Sequence, residues 1–143
     1  MKRLTSLILS LVLLLTIATP ALAAQPETTV SPCYINTSQA GISLAITDAG
    51  LAEWTIICLG EPNCTSIDAV TYLERKMGTV WVKMSIDYPI TDYTYSVTGR
   101  NLYATYQMQL TYAGEYRAVV EYTVHSATAD EELKFWSHRV YEG

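Results

Sequence analysis

The run Leu102-Tyr-Ala-Thr-Tyr-Gln-Met-Gln-Leu110 is followed, after Thr111-Tyr-Ala-Gly114, by Glu115-Tyr-Arg-Ala-Val-Val-Glu-Tyr-Thr-Val124. Side chains that alternate apolar and polar describe a strand with one face on a core, because successive Cβ atoms of extended chain point to opposite sides. Leu102, Ala104, Tyr106, Met108 and Leu110 face one way, and Tyr103, Thr105, Gln107 and Gln109 the other. In the second run Tyr116, Ala118, Val120, Tyr122 and Val124 face inward, leaving Arg117, Glu121 and Thr123 outside. The two apolar faces, opposed across a short turn, are expected to share one core.

The same period spreads outward from this pair. Gly41 to Thr47 places Ile42, Leu44 and Ile46 on one face, and Asp48-Ala-Gly50 supplies a turn. Leu51 to Leu59 is apolar on both faces near its end, which suits a strand covered on both sides. Gly60-Glu-Pro-Asn63 breaks it. Ile67 to Glu74 and Val80 to Ile86 read as a hairpin around Lys76-Met-Gly-Thr79. Pro89 marks a sheet edge or a connection, since proline has no N–H for a ladder. Tyr93 to Thr98 is a short strand closed by Gly99-Arg-Asn101, and the polar loop Ser126 to Glu132 leads to a last strand, Leu133 to Tyr141. No segment has a sustained helical period. The fold expected is all-β, an antiparallel two-sheet sandwich of about seven to eight strands over residues 41–143. Residues 24–40, with Pro26 and Pro32, read as an extended lead-in.

Ahead of that lead-in, Met1-Lys-Arg, an apolar run from Leu7 to Ala18 and Ala21-Leu-Ala23 have the three parts of a secretory signal peptide, with cleavage expected after Ala23. The apolar run falls short of the roughly 20 residues that cross a bilayer. Cleavage removes Lys2 and Arg3, leaving seven basic against fourteen acidic residues, a charge of −7. Nucleic acid and anionic membrane both demand a cationic face, so neither is expected as a partner of the mature chain. Export without an anchor predicts an extracellular protein. Disulfides persist in that compartment, and three cysteines leave one over. The sandwich arrangement gathers Cys33, Cys58 and Cys64 at one pole. Cys33–Cys64 would tie the lead-in to the sandwich, and Cys58–Cys64 is the rival pairing.

Gly114-x-Tyr116-x-Ala118 resembles the G-x-Y-x-C segment that opens strand F of immunoglobulin-like domains. The resemblance implies that Tyr116 is a tyrosine corner, its hydroxyl tied to backbone a few residues upstream. Ala118 stands where the bridge cysteine of antibody domains would be, and the third-strand candidate carries Tyr72 rather than a tryptophan. The family likeness is therefore immunoglobulin-like or fibronectin type III-like in the broad sense. The pattern Tyr72-Leu-Glu-Arg-Lys76, Gly78-Thr-Val-Trp81 and Gly114-x-Tyr-Arg-Ala-Val-Val120 further resembles a group of small secreted single-domain proteins of Firmicutes without an assigned activity. That likeness implies a fold and no catalytic residues.

The sequence holds no G-x-S-x-G, H-E-x-x-H, phosphate-binding glycine loop or EF-hand loop, so no enzyme is expected, nor any cofactor or bound metal. Asp130-Glu-Glu132 is the densest acidic run and reads as a solvated loop, with a cation-stabilised domain as an alternative. A small hydrolase or inhibitor without a recognisable motif is the other alternative, resting on His125 or His138. Tyr88, Tyr93 and Tyr95 are the binding residues expected. Their rings join flat apolar faces to a hydroxyl, a mixture suited to a protein, peptide or glycan, although Tyr93 and Tyr95 share a face that equally fits a core. The function expected is that of a secreted, non-catalytic binding or interaction module.

Overall fold

Alternation becomes strand throughout the part of the chain that the structure, a computed structural model, describes: residues 34–84 and 92–143. The strands are β1 (Thr37–Ile46), β2 (Leu51–Gly60), β3 (Cys64–Met77), β4 (Val80–Lys83), β5 (Tyr93–Thr98), β6 (Asn101–Gln109), β7 (Gly114–Ser126) and β8 (Glu131–Tyr141). They form two antiparallel sheets, the smaller in the order β1-β2-β6 and the larger in the order β4-β3-β7-β8. β5 also pairs with β3, along Ser66–Thr71, and β4 pairs with β3 further on, along Glu74–Met77.

The two runs that dominate the sequence do share a core, but they are not paired with each other. β6 pairs with β2, and β7 pairs with β3 and β8. Side by side in one sheet, their apolar faces would cover one side only. In opposed sheets each face covers the other. The link between them is an arch. Tyr116 Oη donates to Tyr112 O, Arg75 Nη2 donates to Ala113 O at 2.8 Å, and the Arg75 guanidinium lies 5.1 Å from the centre of the Tyr112 ring. Gly114 leaves the arch at φ +151°, and a Cβ there would lie 3.2 Å from Arg75 Nε, so glycine lets the arginine pass beneath.

The core is built from β2 (Trp54, Ile56, Cys58), β6 (Leu102, Met108), β3 (Ile67, Leu73) and β7 (Tyr116, Val120, Tyr122, Val124). Two polar links cross it. Trp54 Nε1 donates to Thr71 Oγ1 at 3.0 Å, and that hydroxyl donates in turn to Val119 O at 2.7 Å. Tyr122 Oη lies 2.9 Å from both Gly41 O and Ile57 O, so β7 is tied through the core to β1 and β2. Each buried polar atom in these links has its partner, the condition under which such a group stabilises rather than costs.

β1 starts at Thr37, four positions before the expected Gly41, with a register irregularity between Thr37 and Gln39. Its start is held from far along the chain. Glu131 accepts hydrogen bonds from Ile35 N, Asn36 N and Thr37 Oγ1, and Asn36 Nδ2 donates to Ala129 O. β3 likewise starts at Cys64, directly after the Gly60–Asn63 break, and not at Ile67. The expected strand to Ile86, and Pro89, extend beyond the described residues. The tryptophan of this core comes from β2. Tyr72, on β3, lies on the outer face of the larger sheet, since its register partner is Val119 and the inward residues of β3 are Ile67, Ala69, Thr71 and Leu73.

Candidate functional site

Of the three tyrosines expected to bind, Tyr88 lies outside the described residues. Tyr93 and Tyr95 are two apart on β5 and pair with Thr71 and Ala69, the inward positions of β3. The Tyr93 ring packs 5.6 Å from Trp54 and 4.5 Å from Tyr106, centre to centre, and is part of the core wall. Tyr95 is more open, 41% exposed. Burial, followed by the nearby Tyr95 and Tyr93 hydroxyls, raises the Tyr106 pKa. Tyr106 thus stays neutral at any physiological pH and presents a hydroxyl, not a charge, beside Tyr93.

The cysteines are free thiols at Cys58 and Cys64, so the Cys58–Cys64 bond is not formed; Cys33, the other expected partner of Cys64, lies outside the described residues. Cys64 Sγ is engaged elsewhere, directed at Ser66 O and Gly99 O at 3.5 and 3.7 Å. Cys58 sits in the core, where burial first and Cys64 second push its pKa up to about 12. A thiol held so far from ionisation is a poor nucleophile.

The histidines are spent on carboxylates. His125 Nε2 is 2.9 Å from Asp68 Oδ2, and Nδ1 is 3.0 Å from Asp130 Oδ1. With a carboxylate at each ring nitrogen the imidazole favours its doubly protonated form, and its pKa is raised, by Asp68 first and Asp130 second. That state has no lone pair with which to take a serine proton. His138 Nε2 faces Glu115 Oε2 at 3.3 Å, and its ring meets Trp81 edge-on at 5.9 Å. The acidic run is also divided: Asp130 turns to His125, Glu131 turns to the start of β1, and Glu132 borders a groove on the larger sheet. Among the described residues, no three His, Cys, Asp or Glu side chains group so as to hold a metal ion.

The most developed surface is the outer face of β4-β3-β7-β8. Register aligns Tyr72, Val119 and Trp136 in one row and Lys83, Glu74, Arg117 and His138 in the next. Cations and rings alternate across it. Lys83 Nζ lies 3.8 Å above the Tyr72 ring and 2.9 Å from Asp92, and the Arg117 guanidinium lies 4.5 Å from the Trp81 ring while pairing with Glu74. Tyr72 Oη donates to Glu121 at 3.0 Å, and Lys134 reaches the same carboxylate at 2.6 Å, holding the Glu121 pKa below its ordinary value. Beside this pair runs an open groove of about 420 Å³, bordered by Asp68, Val70, Thr123 and Glu132. Trp136 stands clear of the network, 62% exposed. Arg117, Glu121 and Thr123 were legible as outward residues of β7. Their neighbours on β4 and β8 were not, because only the register brings Trp81 and Trp136 to this face.

No protein-family model matches the chain, and no curated protein sequence matches it.

Proposed function

We propose that the chain is an exported, immunoglobulin-like interaction module without catalytic activity, whose contact surface is the outer face of the larger sheet around Trp136. The observation that carries this reading is an exposed tryptophan on the outer face of the larger sheet, among charges that are paired with one another. Side chains so fixed lose little freedom when a partner arrives, and tryptophan and arginine are the residue types that most often dominate binding energy. The partner expected is a polypeptide or a glycan, which such a face would grip by ring stacking and by hydrogen bonds to its rim.

The immunoglobulin-like element of the proposal is supported by strand order, since β1-β2-β6 against β4-β3-β7-β8 corresponds to A-B-E against C′-C-F-G. The buried Tyr116 and its bond to Tyr112 O support it at the expected corner. Export rests on the leader sequence, with residues 1–23 removed. The likeness to small secreted proteins of Firmicutes belongs to the same reading.

Glycan and peptide arrays probed with residues 24–143 test the contact surface. Trp136→Ala is expected to weaken any specific binding by at least about tenfold, with the melting curve unchanged, and Tyr95→Ala to leave it within about twofold. The reverse ranking would move the contact surface to the β5 edge. Cleavage of a chromogenic ester or glycoside, abolished by His125→Gln, would overturn the non-catalytic reading.

A further inference from the structure

The sandwich protects its strand edges unequally. β8 carries Glu131, Glu132, Lys134, His138 and Arg139, and charge along an edge discourages another strand from adding. The outer edge of β1 is approached by β8, with Leu44 N donating to Ser137 Oγ at 3.1 Å. β4 has four residues and ends in Lys83, while β5 has six and its Tyr93 is tied into the core. β6 differs from all of these. It runs for nine residues, Asn101-Leu-Tyr-Ala-Thr-Tyr-Gln-Met-Gln109, with no charged side chain, proline or glycine. Its pairing with β2 is regular from Leu51↔Gln109 to Leu59↔Asn101, and among the described residues it pairs with β2 alone.

The hydrogen bonds at its two ends show which backbone groups remain on the open side. Leu110 N donates to Gly50 O, and Gly60 N donates to Arg100 O. Antiparallel bonding alternates along a strand, so even-numbered residues of β6 bond to β2, while Tyr103, Thr105 and Gln107 direct N–H and C=O outward. Their side chains are exposed on the outer face.

We propose that β6 is a dimerisation edge, and that its occupant is β6 of a second copy of this chain, added antiparallel with the two-fold axis at Thr105. Charge selects this occupant. The chain is acidic, with a formal charge of −5, or −7 once the leader is removed, so most of its surface repels a copy of itself. β1 is as long and also uncharged, but β8 approaches its outer edge, so β6 is the open long edge on which two copies meet without like charges facing each other. Its order of residues is also self-complementary about Thr105. Leu102 meets Met108 of the second copy and Ala104 meets Tyr106, an apolar pair and a small-against-large pair on the core side. Tyr103 meets Gln107 on the outer side. The three pairings at 103, 105 and 107 are of the hydrogen-bonded kind and would exchange roughly six backbone bonds. This surface is separate from the Trp136 face, and the inference stands or falls independently of the proposed partner there.

Sedimentation equilibrium of residues 24–143 tests it, with Thr105→Lys and Thr105→Glu as variants. Thr105 is exposed and its side chain bonds only the Thr55 hydroxyl, at 3.0 Å, among the hydrogen bonds described. Wild type is expected to dimerise. Each variant sets like charges opposite each other at the axis and should weaken the dimer about fivefold or more, and an equimolar mixture of the two should restore a dimer containing one of each. A second reading needs no variant: amide exchange at Tyr103, Thr105 and Gln107 should slow with rising protein concentration, while Leu102 and Ala104 stay constant. A wild-type monomer at all concentrations, a dimer indifferent to both charges, a mixture that fails to pair, or concentration-independent exchange at the three amides would each overturn the proposal.

Discussion

Tyr116 ties local sequence to global packing through one atom. Its ring is fully buried and its hydroxyl donates to Tyr112 O, four residues back, fixing the angle at which the arch delivers β7 into the core. Tyr116→Phe keeps the ring and removes the bond, so urea denaturation should show a loss of about 1 kcal/mol; an unchanged midpoint would mean the arch holds itself. His125 works by charge. Its pKa is raised, so its contribution to stability is fully present below the ordinary imidazole value of 6.5 and is lost as pH rises through the raised one. Asp68 behaves oppositely. Its pKa is lowered, by a hydrogen bond from Ser96 first and from His125 second, and its contribution is lost as pH falls from the ordinary 3.8 through the lowered value. The contact is therefore strongest between about pH 4 and 6.5. An NMR titration of His125 checks the assignment: its pKa should fall toward 6.5 in Asp68→Asn and again in Asp130→Asn. No change in either variant would show that the carboxylates do not engage the ring.

Among the elements, β3 and β7 form the spine of the larger sheet and carry the links across the core. Thr71 is the junction, accepting from Trp54 Nε1 and donating to Val119 O with no exposure to solvent. Thr71→Val keeps the shape and orphans Trp54 Nε1 in the core, a cost of about 1 to 3 kcal/mol, measurable as a lowered denaturation midpoint; a stability equal to wild type would show that water reaches the site. What was legible in sequence follows the same division between local and distant. Strand alternation depends on adjacent side chains, so the β-sandwich and the inward face of β7 could be read directly. So could the turn at Gly114. Pairing depends on partners far along the chain, and period two cannot say whether β6 lies beside β7 or across the core from it. The early start of β1 was hidden for the same reason: the carboxylate that holds Thr37 is 94 positions away, at Glu131. Tyr93 shows the limit for a site. Alternation placed it on a face with Tyr95, but only the approach of Trp54 and Tyr106 makes one a core ring while the other stays 41% exposed.

At the scale of the whole molecule, the two sheets present outer faces of different character. That of the smaller sheet is neutral at Ser43, Thr55 and Thr105, the last two sharing a hydrogen bond, and Glu53 is the one charged residue of β2, where it accepts from Gln107 Nε2 at 2.6 Å. The outer face of the larger sheet interleaves cations with rings and leaves Trp136 open. A module whose working surface is that second face should reveal it in the producing cells even while its partner is unidentified. The direct test is site-specific photo-crosslinking of the exported chain, with a photoreactive residue at position 136 and, as control, at the exposed position 43 on the opposite sheet. A contact surface around Trp136 predicts a discrete adduct of fixed mass from position 136 and none from position 43. No adduct at position 136, or the same adduct from both positions, would contradict it.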